Sequence, residues 1–285
     1  MPWFYFAMLS ALANSIISPL KKDLSKKVDS LEVLWMPNLL SAPVYIALIF
    51  WQGLPSFTGN FLWYFLFTVI IESIAGLLII YALKIDELSG VVPMLSLATV
   101  FSFFLNIFFL NSPFQTFGLI GVLLVISGSL IAHAKIKKNR LSLKFSLGSV
   151  LAIVVSILWA FGTIGIVLGI KSSNLLGFIS ALNLVIGVVI FLVDIVILGN
   201  PFPKKQMFKA DNIWLATLSI VSWIAEFTAI SLIAQPAYVS AVKRLDIILD
   251  IIYGRVLLKE VDFIQKIMAG TITVAGVLII IFIQN

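Results

Sequence analysis

The sequence predicts an all-α integral membrane protein of ten transmembrane helices, arranged as two inverted five-helix repeats. Hydrophobic residues make up 61% of the 285-residue chain and the mean hydropathy is +1.14. A soluble globule of this size needs more polar surface than that, so the chain requires lipid as its solvent. Its apolar residues also fall in runs of roughly 17 to 25 residues, the length that crosses a bilayer.

Polar residues, glycines and prolines divide the chain into ten apolar runs. The predicted spans are approximately residues 3–20, 33–52, 61–83, 88–110, 114–133, 145–168, 175–198, 212–233, 236–258 and 262–283. No basic segment precedes the first run, so we expect a retained first helix and not a cleaved signal peptide.

Basic residues are distributed unequally between alternate loops. Fifteen lie in one set of loops, from Lys21 to Lys266, and one, Lys171, lies in the other set. Because cytoplasmic loops hold an excess of lysine and arginine, this predicts a multi-pass protein of the cell (cytoplasmic or inner) membrane with both termini outside. Lys243, Arg244 and Arg255 lie inside predicted spans and are not counted.

Several chemistries have too few residues to support them. The chain has no cysteine and one histidine, so we expect no disulfide, no metal site, no catalytic triad and no cofactor. The lysines lie in short loops and form no basic stripe with aromatic residues, which argues against a nucleic-acid partner. The expected partners are the bilayer and a small-molecule substrate, with protons as a candidate coupling ion, for a monomer or homodimer.

The two halves of the chain resemble each other. The stretch "PNLLSAPVYIAL" from Pro37 is similar to "LNLVIGVVIFLV" from Leu182, an offset of 145 that also sets Asn14 opposite Trp159; later the offset becomes about 149. We therefore predict two repeats, residues 1–141 and 142–285. Since each holds five helices, an odd number, the second is inverted in the membrane, an architecture of alternating-access carriers with a midplane site.

Ten spans, the basic loop "HAKIKKNRLSLKFSLG", the Trp159 of "AIVVSILWAFG" and the stretch from Ala237 to Ile281 together resemble the EamA branch of the drug/metabolite transporter superfamily. By this resemblance Glu260 matches the family's glutamate after the ninth helix, and Gly270 and Gly276 match its packing glycines. The chain departs from the family pattern at three asparagines, which stand where the family has glutamate, tryptophan and arginine. They are Asn111, Asn14 and Asn38.

Charged side chains inside the membrane cost about 2.5 to 3.5 kcal/mol each on insertion scales, so those present are usually paired or functional. Six of the charged residues in the predicted spans stand out: Glu72, Glu226, Lys243, Arg244, Asp246 and Asp250. On a continuous ninth helix Lys243, Asp246 and Asp250 share one face, and Arg244 points about 100° away from it.

These charges allow two interpretations. In the first they line a substrate site, where Lys243 and Arg244 bind a carboxylate or phosphate and Glu72 or Glu226 binds an amine or carries a proton. In the second they are structural ion pairs, Lys243 with Asp246 and Arg244 with Glu226, that hold the helices in place.

Other polar and aromatic side chains complete the predicted site. Asn38 and Asn183 lie on polar stripes, although each could equally make one interhelical hydrogen bond. Trp159 lies on a further stripe, and Trp223 and Tyr238 could stack on a cationic substrate. Pro93 is a candidate hinge because a proline frees a carbonyl and allows bending. Trp35, near a span end, is expected to anchor at the membrane interface.

Three functions remain open from the sequence. The first is a secondary carrier that moves a small polar metabolite, amino-acid-like or anionic, by alternating access. The second is a drug or organic-cation exporter of the same fold. The third is a non-transporting membrane protein with a structural salt-bridge network. No nucleotide-binding motif accompanies the spans, so any active transport would use an ion gradient or exchange.

Overall fold

The protein is a helical integral membrane protein. The computed structural model describes residues 1–55, 59–86, 91, 94–133, 135–137, 140–142, 146–202, 204–246 and 263–284. Its helices are α1 (Pro2–Ser25), α2 (Ser30–Leu40), α3 (Ala42–Gln52), α4 (Phe61–Ile85), α5 (Leu97–Leu110), α6 (Thr116–His133), α7 (Leu147–Lys171), α8 (Leu175–Phe191) followed by a π-helix (Leu192–Ile197), α9 (Lys204–Met207), α10 (Ala210–Ser231), α11 (Ala237–Lys243) and α12 (Phe263–Gln284). A short hairpin of β1 (Lys135–Lys137) and β2 (Arg140–Ser142) follows α6.

Five of the described helices are long and apolar enough to cross a membrane, namely α1, α4, α7, α10 and α8 with its π-helix. A sixth span results if α2 and α3, which meet at 43°, are taken as one. The break falls at Ser41, and Pro43 stands in the first turn of α3. Because proline donates no backbone hydrogen bond and clashes with the preceding turn, it accounts for the bend.

Local chemistry explains where several helices begin and end. Ser146 and Asn174 cap α7 and α8, accepting hydrogen bonds from the backbone N–H of Ser149 (3.3 Å) and Gly177 (2.6 Å). Asn111 ends α5 in the left-handed conformation, with φ of 52°. Asparagine tolerates this conformation better than most residues, so the position that departs from the family's glutamate is a helix terminator in this chain.

The outer surface is apolar. Phe50, Trp51, Trp63 and Phe108 are each at least three-quarters exposed. So many large exposed apolar side chains suit contact with lipid and not with water.

The contacts between helices form matched pairs. α6 packs on α12, α4 packs on α7, and α1 packs on α10. Under the predicted repeat α1 corresponds to α7 and α4 to α10, and exchanging them converts the last two contacts into each other. The α5–α7 contact corresponds in the same way to α1–α11, and α2–α4 corresponds to α8–α10.

The α6–α12 contact depends on glycine. A Cβ atom built on Gly276 would lie 2.6 Å from the backbone oxygen of Gly121, and one built on Gly121 would lie 2.8 Å from the backbone oxygen of Gly276. Only hydrogen atoms fit between backbones this close, as in other small-residue interfaces in membranes.

A buried carboxylate ties α2 to the π-helix. Asp194 is fully buried and accepts hydrogen bonds from the indole of Trp35 (2.7 Å) and the side-chain amide of Asn200 (2.7 Å). Trp35 is itself fully buried and packs on Phe191 and Phe202. The expectation that Trp35 anchors at the interface was therefore wrong, because its N–H is occupied by a carboxylate on another helix.

Candidate functional site: a charged cavity at the helix midpoints

A cavity of about 240 Å³ lies between the helices. Asn14, Glu72, Trp159 and Ser222 line it, and each lies near the middle of its helix, α1, α4, α7 and α10 respectively. Helices that cross a bilayer have their midpoints near its central plane. The cavity therefore lies at the depth where the sequence predicts a substrate site.

Positions lining the cavity are related between the two halves by a nearly constant offset. An offset of 145 residues relates positions on α1 to positions on α7: Asn14 to Trp159, Ser18 to Thr163 and Lys21 to Ile166. The same offset relates Asn38 on α2 to Asn183 on α8. An offset of 147 residues relates positions on α4 to positions on α10: Glu72 to Ser219, Gly76 to Trp223, Ile79 to Glu226 and Leu83 to Ile230. All of these residues line the cavity. The chemistry differs between related positions, since the charges of Lys21 and Glu72 stand opposite Ile166 and Ser219.

Most of the site residues predicted from the sequence lie together on this cavity. They are Asn38, Glu72, Trp159, Asn183, Trp223, Glu226, Lys243, Arg244 and Asp246. Tyr238 lies elsewhere, fully buried against Phe103, and its hydroxyl donates to Gln115 Oε1 at 3.2 Å. The remaining two, Asp250 and the candidate hinge Pro93, lie outside the described residues, as does Glu260.

The cations of α11 and the turn after it are paired with acids. Lys243 Nζ lies 2.7 Å from Glu226 Oε1 on α10, and Arg244 Nη1 lies 3.7 Å from Asp246 Oδ2. These partners are exchanged relative to the ion pairs predicted from the sequence. The prediction assumed a continuous helix, whereas α11 ends at Lys243 and a turn follows at residues 244 and 245.

Arg244 keeps unused hydrogen-bonding capacity. Its Nε atom is buried and has no hydrogen-bond partner among the described residues. A buried donor without an acceptor is unfavourable by about 1 to 3 kcal/mol. The guanidinium therefore keeps one donor that no described residue uses.

Three asparagines line the cavity with neutral amide groups. Asn38 and Asn183 each donate their amide nitrogen to the backbone oxygen four residues earlier in their own helix, at 3.1 and 2.9 Å. Asn14 donates to Ser222 Oγ at 2.8 Å, which joins α1 to α10. Among the described residues only Asn14 of these three amides bonds to another helix, so Asn38 and Asn183 make no interhelical bridge there.

Glu72 occupies space that a glycine leaves free. It is 9% exposed and accepts no hydrogen bond and forms no ion pair within the described part of the chain. A Cβ atom built on Gly162 of α7 would overlap its Oε1 atom. The missing side chain at Gly162 thus sets where this carboxylate stands.

We expect Gly162→Ala to displace the Glu72 carboxylate, because the overlap is with the movable end of a side chain. The cost in stability should be about 1 kcal/mol, at the low end for an overpacked core, while the affinity for a ligand of Glu72 falls about tenfold. Ligand-dependent shifts of the melting temperature of the purified protein measure both effects. The double variant Gly162→Ala/Glu72→Asp, whose shorter carboxylate clears the new methyl group, should recover part of the affinity; unchanged binding in Gly162→Ala alone would contradict the assignment.

Lys21 is a cavity residue that the sequence interpretation missed. It was assigned to a cytoplasmic loop because the first span was predicted to end at residue 20, whereas α1 continues to Ser25. The spacing of Asn14, Ser18 and Lys21, four and then three residues, places them on one face of a helix and could have identified it.

Comparisons with known proteins agree with the fold. The sequence model of the EamA-like transporter family matches residues 1–133, which confirms the resemblance drawn from the sequence. A solved structure, described only as the crystal structure of a protein, has a TM-score of 0.72 and 13% sequence identity, over 97% of this chain and 94% of its own. At that identity the likeness concerns the fold alone. No curated protein matches the chain significantly.

Proposed function

We propose that the protein is a secondary transporter of a small polar metabolite, from the premise that residues 1–133 match the sequence model of the EamA-like transporter family. The observation that carries the proposal is the cavity at the helix midpoints, which contains three cations and three acids, Lys21, Lys243, Arg244, Glu72, Glu226 and Asp246. Charges of both signs suit a substrate that is amino-acid-like or anionic. The proposed membrane is the cell (cytoplasmic or inner) membrane, with both termini outside.

The proposed mechanism is alternating access between two inverted five-helix repeats, residues 1–141 and 142–285. Two observations support it: the helix contacts occur in matched pairs, and the cavity-lining positions recur at offsets of 145 and 147. Two similar halves that meet around a central site can rock against each other and open it to either side in turn.

Within this mechanism the Lys243–Glu226 pair is proposed to open when substrate binds. The pair joins α10 to α11 and retains only about a fifth of its side-chain exposure. An anionic group that accepts from Lys243 or Arg244 replaces a protein carboxylate as partner, which changes the link between the two helices. Protons are the proposed coupling ion, carried by a cavity glutamate.

The experiment is a screen followed by transport. The purified protein is heated with amino acids, organic acids, sugar phosphates and quaternary amines, and the solutes that raise its melting temperature are tested for uptake into proteoliposomes. We expect stabilisation and uptake of solutes that carry an anionic group. Ser222→Trp, which fills the middle of the cavity, should abolish uptake; empty liposomes give the background.

The results separate this proposal from its alternatives. Stabilisation and uptake of quaternary amines alone would favour a drug or organic-cation exporter, for which the acids and Trp223 of the cavity are suitable partners. Stable protein with no uptake of any solute that it binds would favour a non-transporting membrane protein whose ion pairs are structural.

A further inference from the structure

Two opposite charges in the cavity have no ion-pair partner among the described residues. Lys21 and Glu72 both line it, and neither forms an ion pair or a hydrogen bond with a side chain in the described ranges. Lys243, Arg244 and Glu226, by contrast, are engaged in ion pairs. A charge without a partner costs about 2.5 to 3.5 kcal/mol near the bilayer centre, where Glu72 stands, so an unpaired carboxylate at this depth with a lysine in the same cavity points to a ligand.

The two charges lie at different depths. Asn14 and Glu72 stand near the middle of α1 and α4, and Lys21 follows Asn14 by seven residues, which is about 10 Å along a helix at 1.5 Å per residue. A hydrogen bond gives the same ordering independently. Lys22 Nζ donates to the backbone oxygen of Asp86 at 3.1 Å, so this part of α1 lies beside the C-terminal end of α4, well away from Glu72.

On α4 and α2 the wall between the two charges is apolar, and on α1 Ser18 lies between Asn14 and Lys21. Gly76, Ile79 and Leu83 follow Glu72 along the cavity face of α4, and Leu34 stands on α2. A molecule that contacts both charges would lay an apolar segment against this wall. Its ammonium group would meet Glu72 at the middle of the membrane and its anionic group would meet Lys21 toward the end of α1.

We propose that Lys21 and Glu72 together bind the two ends of an extended zwitterion, such as an ω-amino acid or a short peptide, in which several atoms separate the ammonium group from the carboxylate. An α-amino acid has its ammonium and carboxylate groups attached to the same carbon atom, so it can contact Lys21 or Glu72 but not both at once. The inference rests on the proposed transport function, since it names the substrate class of the same cavity.

Both charges of the proposed site lie in the first of the two predicted repeats. The counterparts of Lys21 and Glu72 at the offsets of 145 and 147 are Ile166 and Ser219, which also line the cavity but carry no charge. The first half of the chain therefore supplies both ends of the proposed site. The substrate would have a single orientation, with its anionic end toward the cytoplasmic side that the loop charges predict.

The test uses the full chain in detergent and a series of zwitterions of increasing length: glycine, 4-aminobutyrate, 6-aminohexanoate and 8-aminooctanoate. Hexylamine and hexanoate, each with one charge, are the matched single-ended probes. We expect the rise in melting temperature to increase from glycine to 6-aminohexanoate and to be small for either single-ended probe. Affinity for 6-aminohexanoate should fall about tenfold or more in Lys21→Gln and in Glu72→Gln, because each loses one charged contact.

A charge reversal keeps the test decisive even if a neutral variant folds poorly. Lys21→Glu places two acids at the ends of the site, so 1,6-diaminohexane should become the stabilising ligand and 6-aminohexanoate should lose its effect. Lys26→Gln on the same helix is the control, because Lys26 is exposed and pairs with Asp23 at the surface; it should bind as the wild type does.

Two results would overturn the inference and leave transport standing. One is a Lys21→Glu variant with the ligand profile of the wild type. The other is a wild-type protein that takes up some solute but is stabilised by no member of the zwitterion series beyond the single-ended probes. Failure of transport itself would appear separately, as absent uptake of solutes that bind.

Discussion

Replacing Lys243 with methionine is expected to destabilise the protein by about 3 kcal/mol and to abolish transport. The substitution leaves Glu226 without its cation at 2.7 Å, and an uncompensated charge in a mostly desolvated site costs about 3 to 5 kcal/mol; the remaining exposure of the pair favours the lower figure. The melting temperature in detergent and uptake into proteoliposomes measure the two effects.

The double variant Lys243→Met/Glu226→Met separates structure from function. Removing both partners and keeping their volume should restore most of the stability, because neither charge is then left alone. Transport should remain lost if the pair belongs to the substrate path. Wild-type uptake by the double variant would show that the pair only holds α10 against α11.

A surface pair provides the matched control for this cycle. Lys27 and Asp211 lie 3.1 Å apart and are about half exposed, and such pairs contribute about 0 to 1 kcal/mol. Lys27→Met should therefore change neither the melting temperature nor uptake appreciably. A loss of melting temperature and uptake as large as that in Lys243→Met would mean that the net charge of the chain, and not the position of the ion pair, determines the stability of the protein.

Gly276→Leu should separate α6 from α12 and lower the stability by about 3 kcal/mol or more. A Cβ atom there meets the backbone oxygen of Gly121 at 2.6 Å and the backbone nitrogen of Val125 at 2.9 Å. Backbone atoms cannot rotate away as a side chain can, so the whole helix has to move, at the upper end of the usual cost of overpacking.

The neighbouring residue tests whether the effect is local. Ala275 is exposed on the same helix, so Ala275→Leu adds a similar volume on the outer face and should be tolerated. The two variants are compared by melting temperature and by the yield of monodisperse protein. Equal behaviour of both variants would be incompatible with the close approach of the two glycines.

The sequence predicted the fold well where a pattern repeats along the chain. Apolar runs located the helices, because each must satisfy its own backbone hydrogen bonds in lipid. Helix ends were less accurate: α1 extends to Ser25 because lysines and serines can prolong a helix beyond the apolar region into the interface. Within the ninth predicted span α11 ends at Lys243 and a turn follows, which apolar composition alone does not register.

The site could be predicted in composition but not in its pairings. An ionisable residue inside a span has few roles, so Glu72, Glu226, Lys243 and Arg244 were found from the sequence. Which acid meets which base depends on helix rotation and on the end of α11, and neither follows from spacing along one chain. Gly162 was missed for the same reason, because the space it leaves matters only once α7 lies against Glu72.

Asp194 was missed for a different reason. It lies inside the predicted span 175–198, as the one charged residue of that span, so the sequence offered no second charge on the same helix to suggest a pair. Its two hydrogen-bond donors are Trp35, on a distant helix, and Asn200, in the loop after the π-helix. Sequence reasoning placed Trp35 at the interface because tryptophan near a span end usually serves there.

The Trp35–Asp194 hydrogen bond has a consequence for biogenesis. Its two residues are separated by 159 positions, so the ribosome delivers the indole long before the carboxylate that accepts from it. Until the π-helix is synthesised, the indole N–H of Trp35 on α2 lacks its carboxylate partner. Insertion of Asp194 into lipid is unfavourable unless Trp35 is already in place. We therefore expect Asp194 to enter the membrane at a lower cost when Trp35, in the first half of the chain, is already in place.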